Sequence, residues 1–291
     1  MLTATLFSDP ACPWAYSASP ALRVLQWRYG DQIDWKLVLI GLTEHADQYA
    51  ARGYTPLRQA QGKLSFRRYG MPFTSQPKAR LSGTARGCRA IVAARLGDPG
   101  AEWDAYRALQ LANFTGPLLL DDDEQLRDVL AEVPRIDADA VLAAIDSEDV
   151  SAAYEADKAA SRTAAGSPTE LQGKAGNSDG QVRYTAPSVV FQFGGLRLEA
   201  GGFQTVEAYD VVIANLDPTL ERRAAPETPE PLLATFTSGL TTQEVAACLT
   251  RGNDPVDRGA AEVALIELVH ARQATYTALG DGALWQAAPA A

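Results

Sequence analysis

The tetrapeptide Cys12-Pro13-Trp14-Ala15 stands where an apolar strand gives way to a helix, and no other feature of the chain constrains the fold as much. Leu2-Thr3-Ala4-Thr5-Leu6-Phe7 alternates apolar and small polar side chains, as a strand does, and Ser8-Asp9-Pro10 breaks it. A helix follows at once. Pro13 falls in the first turn, where helices tolerate proline best, and Tyr16, Leu22, Leu25 and Trp27 carry an apolar face to the stop at Tyr29-Gly30. Cys12 is therefore expected at a helix N-terminus. Unpaired amides and the positive end of the dipole favour a thiolate there, and such thiols have pKa values lowered from about 8.5 to roughly 3.5 to 7.5. The alternative is a small buried hydrophobe, as most lone cysteines are. The order of strand, break, cysteine, proline and helix favours a reactive thiol.

At 291 residues, with 46% hydrophobic side chains, about two domains with substantial cores are expected. The balance of 26 Lys+Arg against 36 Asp+Glu gives a net charge of -10, which repels nucleic-acid backbones and anionic membranes. Met1 runs directly into the first strand, with no basic leader and no long apolar run, so a cytoplasmic location is expected. Cys12, Cys88 and Cys248 share no metal-type spacing, and with two histidines in the chain no metal site is expected.

Beyond the first helix, residues 33–42 read as a strand, and strand, helix, strand implies a right-handed parallel unit. Residues 43–62 are polar and partly helical, 63–82 form a basic, proline-broken connection, and helices are expected over 84–96, 102–114, 122–132, 138–145 and 151–165. Residues 166–180, rich in Gly, Ser, Asn and Lys, read as an exposed loop. Strand character returns at Val182-Arg183-Tyr184, breaks at Thr185-Ala186-Pro187 and resumes over 188–193. Gly194-Gly195 signals a hairpin to a strand over 196–200, and 203–216 is an amphipathic helix.

In this order, with Asp9-Pro10-Ala11-Cys12-Pro13-Trp14 after the first strand, Thr115-Gly116-Pro117-Leu118-Leu119-Leu120-Asp121-Asp122 in the helical part and Thr185-Ala186-Pro187 at the hairpin, the chain resembles the DsbA superfamily. The likeness is greatest to its cytoplasmic FrnE-like and 2-hydroxychromene-2-carboxylate isomerase-like branches, and it covers about residues 1–217. It implies an α/β thioredoxin-like fold (1–42 plus 181–217) interrupted by a large helical insertion (43–180). It also implies a cis proline at Pro187 facing Cys12, with Thr185 and Ala186 placed to pair with an extended substrate or a glutathione-like peptide. By base rates alone Pro187 would be an ordinary trans proline opening an edge strand.

Ala15 departs from the dithiol pattern of this family. Without a second thiol beside Cys12, a mixed disulfide must be released by a thiol from solution. Three functions remain open: a monothiol thiol–disulfide oxidoreductase acting on a small or protein disulfide, a transferase or isomerase of the kappa-class type that holds a thiol, and a non-catalytic binding module. No tightly bound cofactor is expected, and glutathione, mycothiol or a similar thiol is the expected co-substrate. Cys88 is the candidate remote thiol, or else a buried cysteine on an Ala-rich helix. Arg86 and Arg89 on the same helix are expected to line the cleft, or to face solvent. Pro13, Trp14 and Tyr16 are expected beside the substrate, with packing roles as alternatives for Trp14 and Tyr16.

Residues 218–231 contain four prolines and read as a linker. Residues 232–287 then show a capping box at Thr241-Thr242-Gln243-Glu244, a longer helix over 257–271 and a closing hairpin, an order that resembles a winged helix. Charge argues against nucleic acid: from 225 onward Arg251, Arg258 and Arg272 face eight acidic residues. A structural role is expected, or a contact with a protein partner or a second copy.

Overall fold

The computed structural model describes residues 1–178, 180–252 and 254–289. Strand β1 (Leu2–Ser8) leads into helices α1 (Pro13–Ser17) and α2 (Ser19–Tyr29) and strand β2 (Ile33–Leu39). The single helix expected from 13 to 29 is two helices, because Pro20 opens the second and has no N–H to continue the first. An insertion follows: α3 (Ala46–Ala51), α4 (Pro56–Leu64), α5 (Ala85–Gly97), α6 (Ala101–Thr115), α7 (Asp123–Ala131), α8 (Ala138–Ala144), α9 (Glu148–Ser161) and α10 (Pro168–Leu171). Strands β3 (Ala175–Gly176), β4 (Arg183–Tyr184), β5 (Ser188–Phe193) and β6 (Leu196–Gly201) lead to α11 (Val206–Leu216).

The main sheet has the order β2-β1-β5-β6. β1 and β2 run parallel from Leu2↔Ile33 to Ser8↔Leu39, while β5 is antiparallel to β1 and to β6. The two-residue turn at Gly194-Gly195 has φ of 56° and 82°, the left-handed geometry that a tight hairpin turn requires and that glycine adopts without strain. Leu2, Ala4 and Leu6 project into a core shared with Leu25 of α2, Ile91 of α5 and Tyr209 of α11. Sheet and insertion are thus welded by one apolar cluster.

The segment 166–180 is not the free loop expected from its composition. α10 docks on β6, where Glu199 accepts hydrogen bonds from Thr169 N (3.1 Å) and Oγ1 (2.6 Å), and β3 pairs with β4. A glycine- and serine-rich stretch is held here by a carboxylate from a strand almost thirty residues away.

The C-terminal part contains α12 (Glu230–Thr235), β7 (Leu240–Thr241), α13 (Thr242–Leu249), α14 (Arg258–His270), β8 (Ala274–Leu279) and β9 (Gly282–Ala287), with sheet order β7-β9-β8. These elements lie beyond the thioredoxin-like sheet but share a core with it: Leu232, Leu233, Val245, Leu265 and Trp285 pack with Val24 and Trp27 of α2, and Cys248 is buried among them. The capping box at Thr241 is formed in both directions, and its Glu244 does more than cap. Fully buried, Glu244 accepts from both terminal nitrogens of Arg107 on α6 (2.8 Å each) and from Ser19 Oγ (2.8 Å). Burial pushes this carboxyl up, but the Arg107 charge and hydrogen bonds, with Arg23 behind them, outweigh burial and hold it at about 2. One carboxylate thereby joins α2, the insertion and the C-terminal part.

Candidate functional site

Cys12 is the N-cap residue of α1, with extended backbone (φ -83°, ψ 114°) and Pro13 in the first turn behind it. Its N–H donates to Asp9 O (3.1 Å) and its carbonyl accepts from Tyr16 N (3.0 Å), so the turn that presents the thiol is fixed on both sides. The Ala186–Pro187 peptide bond is cis and lies opposite. Cys12 Sγ donates a hydrogen bond across this gap to Ala186 O at 2.9 Å. Ala186, expected to pair with an extended substrate, thus has its carbonyl oxygen taken by the thiol.

The low thiol pKa expected from the helix N-terminus is overturned. Cys12 is 6% exposed, and burial pushes its thiol up to about 12. The Ala15 and Trp14 amides and the Arg183 guanidinium favour the thiolate, but burial and the nearby Asp9 charge outweigh them. Charges at a helix end contribute only about 0.3–2 kcal/mol, which does not offset the cost of desolvating a thiolate at this buried position. Ala15, the position of the missing second thiol, is itself buried beside Cys12.

Asp9 is the residue that sequence reasoning missed: it stands in the strand break and opens the motif that runs to Trp14, but no role at the site was expected of it. Its carboxylate is fully buried under the Cys12 turn, accepting from Ala11 N (2.8 Å), Leu42 N (2.9 Å), Thr84 Oγ1 (3.0 Å) and Cys88 Sγ (3.6 Å). Burial raises its pKa against the pull of those four donors. The available signal was an acidic residue directly between an apolar strand and the Pro10-Ala11-Cys12 turn. Beside it Ser8 Oγ and Tyr106 OH share a 2.6 Å hydrogen bond, and Gln110 donates to the same Tyr106 oxygen at 2.7 Å.

The other expected residues divide. Trp14 is 41% exposed and is also packed, edge-on to Phe66 (4.9 Å between centroids) and Phe203 (5.8 Å). Tyr16 is core: it has no exposure, stacks on Phe114 and donates to Pro72 O at 2.8 Å, which turns its hydroxyl toward Pro72. Thr185 Oγ1 donates to Lys174 O (2.6 Å) and so ties the 174–185 strand pair together. Cys88 is fully buried with its thiol directed at Asp9, and both cysteines are free. Arg86 forms ion pairs with Asp123 and Asp146, and with Arg89 it lines a groove beside Glu44, His45 and Asp121 that includes none of the residues around Cys12. Arg89 lies over the Tyr154 ring at 5.5 Å, turned the same way. Helical periodicity placed both on α5 but could not say which side of it faced β1.

A groove of about 860 Å³ lies between α5, α8 and α9 and includes none of the residues around Cys12. No group of three or more His, Cys, Asp or Glu side chains among the described residues is placed to hold a metal ion. No helix among them is long and apolar enough to cross a membrane.

The model of the DSBA-like thioredoxin domain matches residues 3–185. Among solved structures, a putative protein disulfide isomerase from Nitrosomonas europaea aligns with a TM-score of 0.56 at 17% identity, covering 74% of this chain and 96% of that one. A probable DsbA oxidoreductase from Streptomyces coelicolor aligns at 0.54 and 17% identity, covering 75% and 91%. The cytosolic disulfide reductase DsbM from Pseudomonas aeruginosa aligns at 0.52 and 16% identity, covering 75% and 100%. No curated protein sequence matches the chain.

Proposed function

Since the chain belongs to the DSBA-like thioredoxin domain family, we propose that it is a monothiol thiol–disulfide oxidoreductase whose nucleophile is Cys12. The observation that carries this reading is the 2.9 Å hydrogen bond from Cys12 Sγ to Ala186 O, beside the cis proline and at the start of α1. An extended substrate whose N–H pairs with Ala186 O takes the acceptor that the resting thiol uses. Cys12 then gives its proton to solvent and attacks one sulfur of the substrate disulfide. The new Cys12–S bond forms as the substrate S–S bond breaks, and the departing thiolate takes up a proton. With Ala15 in place of a second thiol, release falls to a low-molecular-weight thiolate such as that of glutathione or mycothiol. It attacks the mixed disulfide, leaves with the substrate sulfur as a new disulfide and returns Cys12 to the thiol. The Pseudomonas reductase has been solved with GSH, which supports a co-substrate of this class. Incubation with glutathione disulfide tests the reading: a glutathione adduct is expected on the Cys12 peptide and lost on adding free thiol. A folded wild-type protein that forms no adduct there sinks it.

The raised pKa of Cys12 favours a second reading, in which the site holds a thiol rather than exchanging with it, as in isomerases and kappa-class transferases. That reading requires saturable glutathione binding that survives Cys12→Ser.

A cytoplasmic location goes with either chemistry. The element order supports a thioredoxin-like unit of 1–42 and 181–217, an insertion of 43–180, a linker of 218–231 and a unit of 232–287. In this last unit the order helix, strand, two helices and hairpin, with strand order β7-β9-β8, supports a winged-helix-like reading. Exposed Glu262 and Glu267 on α14 support a protein-contacting or structural role for it over a nucleic-acid one.

A further inference from the structure

The segment between α4 and α5 carries the rings that flank Trp14, and the C-terminal part holds that segment from behind. Gln243 of α13 packs so closely on Gly70 that a Cβ there would lie 2.0 Å from Gln243 Oε1. Thr241 Oγ1 donates to Met71 Sδ at 3.3 Å. In the β8–β9 turn, Asp281 accepts from Phe73 N (2.7 Å), donates its own N–H to Phe73 O (3.2 Å) and pairs with Arg67 Nε (2.8 Å). Gly280, at φ +57°, allows this approach, since a Cβ on it would meet the Phe73 carbonyl carbon at 2.9 Å.

Arg67 lies between Phe66 and Tyr69, and these two rings complete the surroundings of Trp14. Phe66 meets Trp14 at 4.9 Å and Tyr69 meets it at 5.7 Å, while Tyr69 also packs on Phe203 at 4.8 Å. Arg68, exposed, lies over Tyr69 at 4.9 Å. The result is a four-ring rim two residues from the thiol, with guanidinium groups at its outer edge. An aromatic side group next to a disulfide can pack against such rings.

We propose that Asp281 is a positioning residue for substrate selection at Cys12: by holding Arg67 and Phe73 it sets the aromatic rim, so that the C-terminal part favours disulfides bearing an aromatic flank. This inference rests on the reading of Cys12 as the reacting thiol. Asp281 touches no reacting atom. It acts through the ring positions, by its contacts with Phe73 and Arg67 from a turn more than two hundred residues away.

Two probes separate this role from a general structural one: 2,2′-dithiodipyridine, aromatic and uncharged at neutral pH, and bis(2-hydroxyethyl) disulfide, small and not aromatic. Adducts on the Cys12 peptide are followed by mass spectrometry in the full chain. Asp281→Ala, and independently the milder Arg67→Ala, are expected to slow the aromatic probe about five-fold or more while changing the small probe less than about two-fold. The loss is expected in the half-saturating concentration rather than the limiting rate, with a shift in Trp14 fluorescence. In a Trp14→Ala background, Asp281→Ala is expected to cause no further selective loss, because coupled residues are not additive. Equal slowing of both probes, or additive losses, overturns the proposal. A folded wild-type protein in which neither probe marks Cys12 overturns the reading of the thiol itself, an outcome distinct from selective reactivity that Asp281 does not affect.

Discussion

Cys12 Sγ and Ala186 O, 174 residues apart in the chain, are joined by a 2.9 Å hydrogen bond in which the thiol is the donor. A thiolate has no proton to donate, so this contact and the burial of the sulfur act in the same direction and hold the resting thiol neutral. Reactivity must therefore be released by whatever displaces the thiol from Ala186 O.

The first expectation concerns pH. With its pKa pushed up to about 12, Cys12 is expected to react with iodoacetamide at a rate that keeps rising through pH 9. A plateau already reached near neutrality, read from the Cys12 peptide, contradicts the burial argument. Stability carries the same sign: the folded state holds this proton above the ordinary value of 9.0, so the contribution is complete below pH 9 and falls as pH rises toward about 12.

Restoring a second thiol should change the route of release. Ala15→Cys is expected to form a disulfide with Cys12 and to discharge a mixed disulfide without added thiol, seen as release of the bound glutathione in a single turnover. Because Ala15 is buried, the larger side chain is expected to cost about 1–3 kcal/mol of stability in chemical denaturation. Failure to discharge would mean that position 15 does not face the sulfur.

Glu244 should make the fold acid-sensitive. Its pKa, held at about 2 against an ordinary 4.5, gives a stabilisation that is full above pH 4.5 and is lost as pH falls from 4.5 toward 2. Glu244→Ala leaves Arg107 buried without its partner and is expected to cost about 3–5 kcal/mol in urea unfolding at pH 7. Glu244→Gln should lack the wild-type slope over that acid range; an unchanged slope would place the acid sensitivity elsewhere.

Tyr16→Phe separates packing from chemistry. Loss of the hydroxyl's hydrogen bond to Pro72 O is expected to lower stability by about 1 kcal/mol, with the rate of Cys12 adduct formation unchanged. A several-fold change in that rate at equal stability would return Tyr16 to the site.

Much of the scaffold was legible because it is written in local signals. Period-two alternation marked β1, the proline in the first turn marked α1, paired glycines marked the β5–β6 turn, and Thr241 to Glu244 spelled out a capping box that forms as read. Each depends on neighbours within a few residues. The break at Pro20 was equally local and was overlooked, since the apolar face running through it masked the missing N–H donor.

The sequence alone determined that a single thiol stands at a strand-to-helix junction with no second thiol three residues on, because order and spacing along the chain are enough to establish that. It could not determine the thiol's protonation state. Only the tertiary structure brings Ala186 O, the buried Asp9 and the surrounding apolar side chains around one sulfur, and desolvation depends on everything that excludes water from a point in space. The same holds for the arginines turned away on α5 and for Asp281 behind the aromatic rim: chain position says which residues exist, and packing decides which way they face.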